Sequence, residues 1–174
     1  MESNRGGGEK VAQSKFEKIY QVYFQNVYWY LLKLCNNEDL AEELTSETFF
    51  KAMKGIDKFQ GNCDIKTWLL TIAKNSYYSY LKRNKSVVEL EQTLEVRDDK
   101  VDIENQIIQK ESSLEIVKIL HLMEEPYKEV FSLRVLGELS FKQIAEVYGK
   151  TENWACVTYH RAKNKIKSKM EENL

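Results

Sequence analysis

The stretch SFKQIAEVYGKTENWACVTYHRAK, residues 140–163, sets the fold class. Ser140 and Gln143 form a capping box, in which a hydroxyl and an amide each take an orphan backbone N–H at a helix start. A short helix through Ile144, Ala145 and Tyr148 follows, and Gly149 supplies the tight turn that ends it. A second helix starts near Thr151 or Asn153. Ala155, Tyr159, Ala162 and Ile166 then recur at helical spacing as an inward face, which turns Trp154, Thr158, Arg161 and Lys165 outward. Helix, glycine turn, basic helix is the signature of a helix-turn-helix, whose second helix enters a DNA groove.

The helical period continues upstream. Ile103, Ile107, Leu114, Val117 and Leu120 space one helix, and Pro126 suits the first turn of the next, where its missing N–H removes nothing. Val130, Phe131 and Val135 are that helix's expected core face, and Gly137 stops it. Between Ser86 and Asp102 acids alternate with isolated valines and leucines, and no apolar face persists, so the reading is a flexible acidic linker. Before it, Ser14 and Glu17 make another capping box, followed by Phe16, Ile19, Tyr20, Tyr23, Val27, Tyr30, Leu31 and Leu34 at steps of three and four. Asn37 caps a second helix, with Glu38 and Asp39 in its first turn where they suit the macrodipole, and with Leu40, Leu44, Thr48, Ala52 and Ile56 on one face. Gln60 to Lys66 reads as a loop, and helical spacing resumes at Trp68, Leu69, Ile72, Ala73, Tyr80 and Leu81. The expected fold is all-α: two small helical domains, 14–85 and 103–174, joined by the linker 86–102, after a disordered glycine-rich tail 1–13.

Composition agrees, since 174 residues carry one proline and seven glycines, few helix breakers for that length. No apolar run approaches the ~20 residues that span a bilayer, and the polar start has no signal-peptide core, so the expectation is a cytoplasmic protein without membrane insertion. Cys35, Cys63 and Cys156 are spaced too widely for a metal knuckle and read as free thiols. The net charge of −1 conceals blocks of opposite sign. Acids crowd Glu38 to Glu47 and Glu89 to Glu104, whereas Lys66, Lys74, Lys82, Arg83 and Lys85 form an acid-free basic segment, and Arg161 to Lys169 form a second.

Two groups of residues carry a family resemblance. Asp39-Leu-Ala-Glu-Glu-Leu-Thr-Ser-Glu-Thr-Phe-Phe-Lys-Ala52, with Phe59, Trp68 to Asn75 and Lys82-Arg83, resembles sigma region two. Pro126 to Arg134, with Leu139 to Gly149 and Arg161 to Lys163, resembles region four. In this order, with a linker between, they are similar to the extracytoplasmic-function group of bacterial RNA polymerase sigma factors, from Phe16 to Ile166. The resemblance implies a promoter-specificity subunit with no catalytic, cofactor or metal chemistry and no small-molecule substrate, acting as an alternative sigma factor in stress or envelope responses. Its implied partners are core RNA polymerase, promoter DNA and a membrane-bound anti-sigma factor that can hold it at the membrane. Departures occur where the group's recognition helix commonly reads Gly-Thr-Val-Lys-Ser-Arg: here stand Asn153, Trp154, Ala155, Cys156, Val157 and Thr158. The promoter sequence therefore does not carry over.

The resemblance places polymerase binding on Asp39, Glu43, Ser46, Glu47 and Phe50. Acids at helical spacing with an aromatic anchor suit a basic partner helix; a solvated acidic face is the bland alternative. It places the minus-ten element on Asn62, Cys63, Asp64, Ile65, Lys66, Asn75, Lys82 and Arg83, a loop and basic helix suited to an unstacked base and to phosphate. Lys74 is a further phosphate candidate, while Trp68 is expected in the core. The minus-thirty-five element falls to Trp154, Val157, Thr158, Arg161 and Lys165, with cations on phosphates and the N-terminal residues on base edges. His121 is expected to pack at a helix edge and His160 to touch phosphate. A helical adaptor that binds polymerase or a regulator without reading promoters is the competing reading.

Overall fold

The computed structural model describes the backbone over residues 6–84 and 114–172, and the side chains over 16–84 and 114–172. The expected linker 86–102 and the start of the helix expected from Ile103 lie outside the described residues. Among the described residues the architecture is helical without strands. A first module holds α1 (Gly6–Cys35), α2 (Glu38–Gly55) and α3 (Ile65–Arg83), with a 3-10 turn, Ile56–Lys58, after α2. A second holds α4 (the helical residues 114–122), α5 (Tyr127–Val135), α6 (Phe141–Tyr148) and α7 (Glu152–Glu172).

Local chemistry sets the boundaries. The Asn37 side chain accepts from Leu40 N at 2.8 Å and starts α2, and Ser140 and Gln143 close the capping box of α6. Gly149 ends α6 in the left-handed region at φ 59, where a Cβ would be strained. Thr151 Oγ1 accepts from Trp154 N at 3.2 Å at the start of α7. Helix α1 begins at Gly6, upstream of the start at Ser14 that the capping box suggested. Once later turns are formed, Glu9, Lys10, Ala12 and Gln13 extend the helix at little cost, because propagation is far easier than nucleation.

Val27, Tyr30, Leu31 and Leu34 of α1 meet Leu44, Phe49 and Ala52 of α2 and Leu69, Leu70, Ala73 and Tyr77 of α3, all buried. In the second module Leu120, Val130, Phe131, Leu133, Leu139, Ile144, Ala155, Ala162 and Ile166 are buried. Val135 is a correction: it is exposed, and Leu133 takes the core position, because α5 is buried continuously from Glu129 to Leu133 rather than along one narrow stripe. This helix is covered on two sides, by α7 and by the first module. The two cores adjoin. Tyr30 Oη lies 3.4 Å from Ser132 Oγ, and at Gly137 a Cβ would sit 2.8 Å from the Leu133 carbonyl oxygen and 3.1 Å from Leu70 Cδ1. Glycine is required there for close approach. No described helix is long and apolar enough to cross a membrane.

Candidate nucleic-acid interface

On α2 the sequence-predicted residues share one side. Asp39, Glu43, Ser46 and Phe50 are exposed at steps of four, three and four, and Met53 continues the stripe. Phe50 and Met53 are each about half exposed, an unusual outlay of apolar surface for one helix face. Lys54 Nζ lies 4.1 Å from the Phe50 ring centroid. Glu47 differs from its companions: it is part-buried and its carboxylate meets Lys51 Nζ at 2.6 Å, an i,i+4 pair of modest strength. Met53 escaped the sequence reading, although its place three residues after Phe50 was the signal.

The loop before α3 is shorter than expected. Ile65 and Lys66 belong to the first turn of α3, because Asp64 caps it: its carboxylate accepts from Thr67 N at 2.9 Å and from Thr67 Oγ1 at 2.8 Å. Burial alone would raise the Asp64 pKa, but hydrogen bonds from Thr67 N–H, the Gln143 amide and the Thr67 hydroxyl outweigh it and hold the carboxyl below its usual range. Gln60, Gly61 and Asn62 are exposed, with Gly61 at φ 71 and the Asn62 amide 3.4 Å from Gln60 Oε1. Cys63 is half-buried, its thiol pushed up by burial and by the charges of Asp64 and Glu146. Asn75, Lys82 and Arg83 lie exposed along α3, and Lys66 is partly covered. Trp68 packs on Phe59 with ring centroids 4.9 Å apart, in keeping with a core role.

Lys74 is a correction. It is buried, and its ammonium pairs with Glu129 of α5 at 2.8 Å, with side-chain exposures of 7% and 10%. The Tyr148 hydroxyl of α6 donates to the other Glu129 oxygen, so Lys74 cannot reach phosphate in this arrangement. No periodicity could have revealed this, since the partners belong to different modules.

The last helix also departs from expectation. Thr158 is 6% exposed and points inward with Ala155, Ala162 and Ile166. The aromatic at 159 drew the sequence reading one position round the helix. Tyr159 does pack, its ring 5.9 Å from Phe131 and 5.6 Å from Phe141, but the buried stripe runs between Thr158 and Tyr159. Trp154 is half-buried with its ring 5.3 Å from Tyr148, so it is packing more than reading surface. Lys165 is exposed, yet its ammonium lies 5.0 Å over the Tyr127 ring of α5. The outward face is Asn153, Val157, His160, Arg161 and Asn164. Of the sequence candidates Val157 and Arg161 stand on it. His160, expected to touch phosphate, also stands there, and Asn153 and Asn164 complete the face at steps of three and four from Val157 and His160.

Geometrically, these are an acidic and apolar helix face, a basic helix beside a short loop, and a helix-turn-helix whose second helix carries polar and basic groups outward. Among the described residues no group of three or more His, Cys, Asp or Glu is placed to hold a metal, and the three cysteines are free.

Known proteins share this arrangement. Residues 19–87 match the family described as Sigma-70 region 2, and residues 113–166 match Sigma-70, region 4. The chain is 28% identical over 170 residues to the RNA polymerase sigma factor YlaC of Bacillus subtilis, covering 93% of this chain and 98% of that one. It is 29% identical over 159 residues to the ECF RNA polymerase sigma factor SigM of the same organism, covering 87% and 93%. In fold it is similar to a sigma factor RpoE solved in complex with the anti-sigma factor NepR from Bartonella quintana, at TM-score 0.60 and 20% identity over 90% of this chain and 97% of that one. With region two on the first module and region four on the second, in sequence order, the chain belongs to the extracytoplasmic-function group of RNA polymerase sigma factors and is an alternative sigma factor.

Proposed function

We propose that this sigma factor grips core RNA polymerase with the exposed face of α2, holds an unstacked promoter base with the loop around Asn62 and the start of α3, and reads an upstream duplex element with α7. The observation that carries the reading is the separation of faces by sign and chemistry. Asp39, Glu43 and Ser46 run into Phe50 and Met53 on one helix, and Asn153, Val157, His160 and Arg161 line another. The first suits a basic protein helix with an apolar anchor. The second suits a major groove, where Val157 can meet a thymine methyl, Asn153 an adenine edge, and Arg161 a phosphate. Asn75, Lys82 and Arg83 along α3 suit a single strand near the loop. The work is binding and positioning, without a catalytic group.

An anti-sigma factor is the proposed inhibitor, since a sigma factor of the same fold was solved with an anti-sigma factor, and the proposal places that inhibitor at the membrane. Tagged chain from uninduced cells is then expected in the membrane fraction, and complete recovery with polymerase instead removes this partner from the account. The test of the main reading is transcription of a genomic library with purified core polymerase and this chain. Specific new start sites are expected. Their absence, with polymerase binding retained, leaves a polymerase-bound adaptor.

A further inference from the structure

One face of α1 takes no part in the sites described above. From Lys18 to Asn37 the chain has no acid, and on the solvent side of α1 stand Lys18, Val22, Gln25, Trp29 and Lys33, at steps of four, three, four and four. Val22 is 63% exposed and Trp29 52%. A tryptophan left half in water on a regular helix is a typical anchor for a partner. Its ring meets Tyr28 of the same helix edge-on, with centroids 5.5 Å apart. Lys33 is loosely held, 3.9 Å from Glu138 with both side chains open to water.

The complement to this stripe is on the same chain. Helix α2 carries Glu38, Asp39, Glu42, Glu43 and Glu47 and no cation before Lys51, and its outer stripe of Asp39, Glu43, Ser46, Phe50 and Met53 runs at steps of four, three, four and three. Alternating steps of three and four are those by which two helices pack along a seam. In parallel register Lys18 meets Asp39 and Glu43, Gln25 meets Ser46, and Trp29 meets Phe50 and Met53. Sign excludes the other pairings, since α1 against α1 sets lysines together and α2 against α2 sets acids together. The chain cannot make this contact with itself. Tyr20 and Phe24 of α1 face α2, their rings 4.8 and 6.2 Å from that of Phe49, and Trp29 lies half a turn round the helix from Tyr20.

We propose that the α1 stripe docks on the α2 face of a second copy of this chain. The contact is heterologous: an assembly always keeps a free α1 stripe at one end and a free α2 face at the other, so association continues with concentration and does not stop at a pair. Five residues a side fall well short of the roughly 20–30 of a standard interface, so the contact is weak and reversible. One consequence rests on the functional reading above: copies of the chain compete with polymerase for α2, and a copy whose α2 is covered cannot load.

Sedimentation velocity of the full chain, from micromolar to submillimolar, tests the docking. The wild type is expected to sediment faster as concentration rises and to pass the mass of a dimer. Trp29→Ala and Phe50→Ala are each expected to stay monomeric, with association at least about thirtyfold weaker, the usual loss on truncating an anchor of this kind. Mixed together, they are expected to form a one-to-one pair and nothing larger, because the first keeps its α2 face and the second its α1 stripe. A wild type that is monomeric throughout, or a Trp29→Ala chain that associates as the wild type does, overturns the proposal. So do two monomeric variants that fail to pair when mixed. Helical circular dichroism accompanies each variant, and if Trp29→Ala loses helicity, Lys18→Glu with Lys33→Glu takes its place. Retention on immobilised core polymerase separates the two readings. Trp29→Ala is expected to be retained like the wild type. If Phe50→Ala is retained as well while its self-association is gone, the polymerase reading of Phe50 falls and the docking of copies stands.

Discussion

At the scale of single residues, α7 gives the sharpest test. Thr158 is buried and Val157 is not, so in selection from randomised upstream elements Thr158→Ser should leave the preferred sequence unchanged. Val157→Ala and Asn153→Ala should each shift it, by ~1–3 kcal/mol per discriminated base. Arg161→Ala should weaken all sequences alike and lower the salt slope by about one. A preference altered by Thr158→Ser alone would return that residue to the reading surface. His121 supplies a pH test. Burial and the nearby Lys128 push its pKa below the ordinary 6.5, with a hydrogen bond to Leu34 working the other way. Neutral His121 accepts from Tyr77, whose hydroxyl burial keeps protonated. An imidazole freed by unfolding takes a proton below about 6.5 that the buried one refuses. Its contribution is therefore full above that pH and declines as pH falls toward the buried pKa. Asp64, with its pKa lowered from 3.8, contributes the same sign of change only at lower pH, where its carboxylate begins to protonate. Urea midpoints measured at pH about 7.5 and 5.5 should fall on acidification in the wild type and fall less in His121→Gln; equal slopes remove His121 from the account.

At the scale of elements, α2 is the piece whose surface decides partnership. Reversing Glu43 and Glu47 to lysine should abolish retention on immobilised core polymerase while leaving helical circular dichroism unchanged. Because that face contributes nothing to the core, the stability loss should stay within ~1 kcal/mol, partly from the Lys51 pair. Undiminished retention would remove the face from the docking account. Helices of this kind are legible in sequence because their determinants are local. Asn37, Ser140, Gln143 and Gly149 act within a turn of themselves, and the stripe from Asp39 to Phe50 needs only the helical period. Asp64 is the instructive failure: as an acid in a polar stretch it read as loop, yet a cap is defined by which N–H the side chain meets. Thr158 fails for a related reason, since a period locates a stripe only to within one residue, and Tyr159 beside it was the larger apolar group. The family resemblance named the right segments without resolving which side chains face out.

At the scale of the whole molecule, the two-module plan could be read from the chain, but the contacts between modules could not, because the partners of Lys74, Asp64 and Tyr77 are far away in sequence. Gly137 is where that packing meets the backbone. Gly137→Ala would set a methyl against the Leu133 carbonyl oxygen and Leu70, and should cost ~1–3 kcal/mol of overpacking. For a chain of this size each kcal/mol lowers Tm by about 2–4 °C, and a Tm equal to wild type would mean that the turn yields freely. The path from Thr67 to Asp64 to Gln143 to Ser140 carries one last consequence, for it ties the first turns of α3 and α6 through a single carboxylate. When the modules part, each helix keeps its own cap and only the Gln143 amide returns to water, so separation does not unravel either end.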